Sequence, residues 1–321
     1  MMSTICQGYS GIVENRYILE YEISRSSTSI VYKAKDSFSG IDYAVRIFKE
    51  PSKLFHREIS FNQIISESEN HSHFFVSFIS SSLNGTLHID GLNETKSYIV
   101  YEFASKDNLF KNIISNKKGL DEKNCKVIIY KILKAIQALY KNGISHNNIK
   151  PQNIFLVGER YNIKIGDFGF SGFISGEKGN ILQKIIAGID DYKAPEVILG
   201  KKYNGEKADI FSIGILMFSL LKCLTPFPFD EITKKRKYYS LFVKNNDRIF
   251  WEMLAKLGIE FSPEFQDLFK KMVNYKPSQR PTIEEILSHD WMKEVTNLNE
   301  EDYKKYEENL ISELKKREVN L

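Results

Sequence analysis

Cysteine is scarce in this chain, with three in 321 residues. Cys6, Cys125 and Cys223 are odd in number, far apart and without the short spacings of metal ligands. They therefore imply no disulfide framework and no zinc site, and they fit a reducing compartment. Long apolar runs are missing too. The longest, "IFSIGILMFSLL" (210–221), has 12 residues and begins beside Asp209. A bilayer crossing needs about 20, so a buried core helix is expected there and no membrane partner. The opening "MMSTICQGYSGIVENRY" lacks a basic cap followed by an apolar stretch, so no secretory signal is expected and the location expected is cytoplasmic. Neither sign of charge dominates: the net charge is +4, with no long Lys/Arg block. The densest basic run, "TKKRK" (233–237), reads as a solvated loop in preference to an anionic docking patch, and nucleic acid is not an expected partner. There is no internal repeat and no low-complexity tract.

What is present is enough for a sizeable core. Hydrophobic residues make up 42% and charged residues 27%, ordinary values for a globular protein, and the length suits one large domain or two modest lobes. From Arg16 to about Phe103 the pattern is strand-like. "YILEYEIS" (17–24), "SIVYKAKD" (29–36) and "IDYAVRIFK" (41–49) cluster β-branched and aromatic residues around the turn "FSG" (38–40). One helix interrupts them at "KLFHREISFNQIIS" (53–66). After Ser105 the periodicity turns helical. "EKNCKVIIYKILKAIQALYKNG" (122–143) carries Val127, Ile128, Ile132, Leu133, Ile136 and Leu139 on one stripe, with Asn142 and Gly143 as its stop. Short strands are expected around Phe155 and at 163–165, then helices to Trp291. Strands first and helices after argue for an α+β protein of two lobes, not an alternating α/β sheet. The expected layout is a leader (1–15), a β-rich lobe (16–104), a helical lobe (105–292) and a charged amphipathic helix (293–321). That last helix places Tyr303, Tyr306, Leu310 and Leu314 on one face. Packing on its own domain is the simpler reading of that face, with partner binding or autoregulation as the alternative.

In the second lobe "HNNIKPQN" (146–153) is followed in order by "DFG" (167–169), "APE" (194–196), "DIFSIG" (209–214) and "QRP" (279–281). With these motifs and intervals, residues 17–292 resemble a eukaryotic protein kinase domain of the serine/threonine type. "TPFPFD" and the segment 262–292 look most like the calcium/calmodulin-dependent group. The resemblance implies a small β-rich N-lobe, a larger helical C-lobe, and phosphoryl transfer from ATP with Mg2+, achieved by positioning and charge stabilisation.

The family's site residues map onto this sequence unevenly. Asp167 and Asn153 match the oxygen ligands of Mg2+, and Lys150 matches a lysine near the transferred phosphate. The adenine slot would be lined by Ile23, Val31 and Ala44, with a hinge at Glu102–Ala104, Tyr101 behind it and Phe155 as its floor. Aligning Val31 with the end of the glycine-rich loop puts Ser24, Ser26 and Ser29 where the three glycines belong. Each serine adds a Cβ where glycine would let the backbone approach phosphate. The phosphate-gripping lysine is Arg46, with Glu58 as its implied partner; a planar fork and a compact ammonium are not interchangeable there. The catalytic aspartate is Asn148, which cannot take a proton at neutral pH. Asn147 stands for an arginine that pairs with a phosphorylated activation segment (170–193), Ile189 for a threonine that bonds the catalytic groups, and Asn62 for an apolar residue of the stack with His146 and Phe168. Fold-holding positions are kept: Asp209 should anchor the catalytic loop, and Glu196 should pair with Arg280.

The expected function is a pseudokinase: a nucleotide-responsive or scaffolding module with a protein partner, holding ATP and Mg2+ weakly if at all. The alternative is a low-activity serine/threonine kinase acting on protein hydroxyls.

Overall fold

A computed structural model describes residues 11–50, 53–68, 71–89, 91–174, 191–227 and 238–318. The chain divides between Ser105 and Lys106 into two compact units, the first rich in strands and the second helical. The fold is therefore α+β. Cys6, the basic run 233–237, Ile189, most of the segment 170–193 and the end of "TPFPFD" lie outside the described residues.

The first unit is built on β1 (Gly11–Val13), β2 (Tyr17–Arg25), β3 (Ser29–Asp36), β4 (Asp42–Phe48), β5 (Phe78–Ile89) and β6 (Leu92–Glu102), with α1 (Lys53–Ser66) and the short α2 (His71–Phe74) between β4 and β5. All neighbouring strands run antiparallel, and the sheet closes in the order β1-β2-β3-β4-β6-β5. Alternation places Val13, Leu19, Tyr32, Ala34, Val45, Ile47, Tyr98 and Val100 inside. Each fully buried Val or Ile there contributes roughly 1.5–3 kcal/mol, so a charge at Val45 would open the barrel. A second cluster of Phe48, Phe55 and Ile99 seats α1 on the outer face. Strand β1 lies within the expected leader and closes the sheet by pairing with both β2 and β5. A three-residue strand is too short to leave a period in the sequence.

The second unit begins at Lys106 and is centred on α3 (Glu122–Lys141). Asp121 caps α3 by accepting from the Asn124 N–H at 2.7 Å, a cap whose loss costs about 1 kcal/mol. Beyond it come β7 (Ile144–Ser145), β8 (Ile154–Val157), β9 (Asn162–Ile165), β10 (Gly172–Phe173) and the single turn α4 (Pro195–Ile198). Then follow α5 (Gly205–Lys222), α6 (Tyr239–Val243), α7 (Asp247–Lys256), α8 (Pro263–Met272), α9 (Ile283–Leu287), α10 (Asp290–Thr296) and α11 (Glu300–Glu318). The apolar run 210–221 lies in α5, where it is buried throughout. No helix among the described residues is long and apolar enough to cross a membrane.

The C-terminal helix packs on its own unit. Leu310 and Leu314 of α11 are buried, and Tyr303 meets Tyr130 of α3 edge to face. Arg317 is buried and donates to the carbonyls of Lys118 and Gly119, while Glu318 accepts from Lys106 and from the Tyr161 hydroxyl.

Candidate active site

Strand register assembles the first unit's share of the family's site. Ser24 pairs with Val31, Val31 with Arg46, and Arg46 with Ile99, a row across four strands. Ala44 and its partner Tyr101 lie two residues along on the same face. Ser24, Val31, Ala44, Arg46 and Tyr101 thus share the outer surface, opposite the apolar interior. Ile23 sits half-buried at a register shift in β2 and outside this row. Glu102 is tied to residue 77, accepting the Ser77 N–H on its carboxylate at 3.2 Å, and Ala104 follows β6 half-buried.

Around Arg46 the polar groups form one connected network. Its Nη1 donates to both oxygens of Glu58, at 2.8 and 2.9 Å, and its Nε donates to the Ser29 hydroxyl at 2.9 Å. Glu58 is 1% exposed and also accepts from the Tyr101 hydroxyl at 2.6 Å. Asn62, one turn beyond Glu58 on α1, donates to the Tyr101 hydroxyl and to the Glu58 carbonyl. The Arg46–Glu58 pair is therefore formed. Asn62, which stands for an apolar residue of the stack, is a buried, hydrogen-bonded member of the network. The parts that Ser29, Asn62 and Tyr101 play together were not foreseen; only the register, which sequence does not print, brings them together.

The serines behave unlike glycines. None of Ser24, Ser26 or Ser29 takes a positive φ, so the β2–β3 turn needs no left-handed backbone. The Ser26 hydroxyl instead organises the turn, accepting from the N–H groups of Thr28 and Ser29 and lying 3.1 Å from the Ser29 carbonyl as donor. Ser24 and Ser26 are exposed; Ser29 is buried against Arg46. This is a self-satisfied hairpin, without the bare N–H cradle that glycines give.

In the second unit the loop 146–153 hangs from a buried carboxylate. Asp209 of α5 is fully buried and accepts from the backbone N–H groups of His146 (2.8 Å) and Asn147 (2.6 Å), with the Tyr140 hydroxyl at 3.3 Å. Burial raises the Asp209 pKa to about 7. Gly205, at the start of α5, permits this approach: a Cβ there would come within 2.1 Å of the Ser145 hydroxyl. Asn147 takes a left-handed φ of 62° and donates through its side chain to the Phe170 carbonyl, a structural task within the loop. His146 stacks edge to face on Phe168, with its Nε2 at 3.1 Å from the Gly166 carbonyl and its Nδ1 at 3.2 Å from the Asn148 N–H. Accepting at Nδ1 requires a neutral ring, and burial accordingly lowers its pKa to about 4.

Asn148 is the centre of this site. It is 6% exposed, and its Nδ2 donates to Asp167 Oδ2 at 2.7 Å. Asn153 is equally buried, and its Nδ2 donates to the Asn148 carbonyl at 2.8 Å. Asp167 takes a left-handed conformation at the entrance to the turn 168–170. Lys150 is half-buried ahead of the turn 151–153, and Phe155 is half-buried in β8, bridged to Asn108. The structure thus brings Asn148, Asn153 and Asp167 into one hydrogen-bonded group. Lower in the unit, Arg280 grips both oxygens of Glu196, at 2.6 and 2.8 Å, with its guanidinium fully buried.

The donors suit a hard cation in kind, being one carboxylate and one amide oxygen. They are few, and among the described residues no group of three or more His, Cys, Asp or Glu side chains is placed to hold a metal. Phosphate oxygens and water would have to complete any Mg2+ shell held by Asp167 and Asn153. One lone pair of Asp167 is already taken by Asn148.

Comparison with known proteins agrees with this architecture. A model of the protein kinase domain matches residues 17–292. The chain is 27% identical over 302 residues to the SNF-related serine/threonine-protein kinase of Homo sapiens, covering 92% of this chain and 36% of that one. It is 27% identical over 292 residues to the CBL-interacting protein kinase 30 of Oryza sativa subsp. japonica, covering 89% and 56%. Over 195 residues it is 35% identical to the serine/threonine-protein kinase kin-29 of Caenorhabditis elegans, covering 61% and 22%. The chain spans less than two thirds of the length of each of these relatives. On its matched length and motifs, it belongs to the protein kinase domain family.

Proposed function

We propose that this chain is a pseudokinase, a kinase-fold binding module that responds to nucleotide or scaffolds a protein partner and transfers little phosphate. The observation that carries this reading is the Asn148–Asp167 hydrogen bond. Where the family places a proton acceptor, this chain places an amide donor turned toward the aspartate that should hold metal. Loss of a general base costs about 10²–10⁴-fold in rate. Arg46 supports the same reading, since Glu58 and Ser29 already engage its guanidinium. Nucleotide, when bound, brings the phosphate charge, and Mg2+ would be held by Asp167 and Asn153. Ile23, Val31, Ala44, Glu102, Ala104 and Phe155 would contact the base, and Ser24, Ser26 and Ser29 would lie over the phosphates. The kinase-like domain is taken to end near 292, with α11 as an appended, docked helix, and a cytoplasmic location is part of the reading.

A second reading has its own support. Asp167, Asn153 and Lys150 are retained, the Arg46–Glu58 pair is formed, and the relatives are named serine/threonine kinases. On that reading the chain is a slow kinase passing the ATP γ-phosphate to protein hydroxyls. Radiolabelled ATP with a generic protein substrate separates the two, comparing wild type with Asn148→Asp/Arg46→Lys. The pseudokinase reading expects near-background transfer by the wild type and a gain of at least about 10²-fold in the double variant. Robust wild-type turnover, abolished by Asp167→Ala, would replace it with the second reading.

A further inference from the structure

We propose that Asn148 stands in for a divalent cation as the partner of Asp167, so that nucleotide is held without a metal requirement. This rests on the nucleotide-binding reading above and specifies how that site is balanced.

The geometry fixes Asn148 from three sides. Its N–H meets His146 Nδ1 at 3.2 Å, its carbonyl accepts from Asn153 at 2.8 Å, and its amide donates to Asp167 at 2.7 Å. The first two contacts hold the backbone, and the buried side chain is held by its bond to Asp167, so moving it aside for a cation breaks that bond inside the protein. A cation approaching Asp167 from the Asn148 side would compete with that short hydrogen bond and leave a buried donor unpaired.

Charge points the same way. Within 146–153 and Asp167, the formal charges are Lys150 at plus one and Asp167 at minus one. His146 is neutral because its Nδ1 accepts, and Asn148 and Asn153 carry none. The group is balanced as it stands. With aspartate at 148, two carboxylates would face each other at hydrogen-bond distance, an arrangement that demands a cation or a shared proton. An approaching triphosphate then meets one more negative charge, and metal becomes its means of entry. In this chain that demand is absent. Among the described residues, no group of three or more His, Cys, Asp or Glu side chains is placed to hold a metal at Asp167.

Calorimetry on the full chain tests this, titrating ATP in EDTA and in millimolar Mg2+ for wild type, Asn148→Asp and Asn148→Ala. Circular dichroism would check that each variant folds. The wild-type Kd is expected to agree within about threefold between the two conditions, while Asn148→Asp should bind at least about tenfold tighter with Mg2+ than without. ATP binding by the wild type only with Mg2+ would overturn the inference and leave the nucleotide reading standing. Mn2+ titration of the nucleotide-free chain, read by electron paramagnetic resonance, judges the Asp167 contact separately. Asn148→Ala, which keeps the charge and frees Asp167, should bind Mn2+ more tightly than wild type. Equal Mn2+ affinity would overturn the inference. Absence of ATP binding in every condition would overturn it together with the nucleotide reading.

Discussion

Replacing Arg46 should reveal what the polar network of the first unit is for. Arg46→Ala leaves Glu58, 1% exposed, with its guanidinium partner gone. Breaking a buried pair from one side costs about 3–5 kcal/mol. Two features put this case near 3: the Arg46 side chain keeps 21% exposure, so water partly screens the pair, and the Tyr101 hydroxyl still donates to Glu58 at 2.6 Å. Arg46→Lys keeps a cation for Glu58 but has no Nε donor for Ser29, and it loses the stacking of the guanidinium over Phe48. One hydrogen bond of this kind is worth about 1 kcal/mol. Ser29→Ala removes the same bond from its other end, so the pair should be non-additive by about 1 kcal/mol in a double-mutant cycle. Hydrogen exchange across α1 is the appropriate assay, because a chain of two units does not unfold in one step. Protection of residues 53–66 should fall most in Arg46→Ala, less in Arg46→Lys, and no further when Ser29→Ala is added to Arg46→Lys. Additive effects of Ser29→Ala and Arg46→Lys would refute the coupling. An Arg46→Ala cost below about 1 kcal/mol would refute the claim that the pair holds α1.

Three other outcomes are expected. His146 has its pKa lowered by burial from 6.5 to about 4, so the unfolded chain binds the proton more readily. Its stabilising contribution is whole above pH 6.5 and is lost as pH falls toward 4, while Asp209, raised to about 7, slopes the opposite way. Relative to His146→Phe, wild type should therefore lose about 2 kcal/mol between pH 7.5 and 5 in urea titrations of the second unit; parallel pH profiles would count against it. Arg280→Ala strands Glu196 in the interior and should cost about 3–5 kcal/mol in the same titrations, with far less lost when both residues become apolar. Leu314→Ala, at a fully buried site of α11, should cost about 2–5 kcal/mol and deprotect residues 300–318 without touching α1; unchanged exchange would mean that α11 is not docked through this face.

Much of the fold could be read from residue order alone. Strands β2, β3 and β4 cluster β-branched and aromatic residues, and α1, α3 and α5 carry apolar stripes or runs, with a stop signal after α3, so their places followed from residue pattern. Asp209 and the Glu196–Arg280 pair followed from the motifs, because their partners lie at fixed intervals along the chain. What escaped was small or non-local. Strand β1 is three residues long, below the length at which alternation means anything. The turn Ser26–Ser29 replaces backbone flexibility with hydroxyl bonds, and nothing in a serine's identity says which N–H it will accept from.

The departures at the candidate site look unrelated in sequence, and the structure links them. On the family's pattern Ser29 stands for a glycine and Arg46 for a lysine; the hydroxyl of one accepts from the Nε of the other, a bond for which glycine has no acceptor side chain. Asn62 replaces an apolar residue and donates to Tyr101, which in turn donates to Glu58. Asn148 replaces a carboxylate and donates to Asp167. A site decaying without constraint should accumulate buried donors and acceptors that lack partners, because each such loss costs only stability. Ser29, Arg46, Asn62 and Asn148 each find a partner among residues the family retains or among the other substitutions. Interconnection of that kind is what a site held for binding would show. It also means that single reversions work against their surroundings: Arg46→Lys alone gives up the Nε bond donated to Ser29, and Asn148→Asp alone sets a second carboxylate against Asp167. Each cost persists in the double variant and the two arise in separate hydrogen-bonded groups, so its activity should lie close to the product of the two single gains; a gain far above that product would refute their independence.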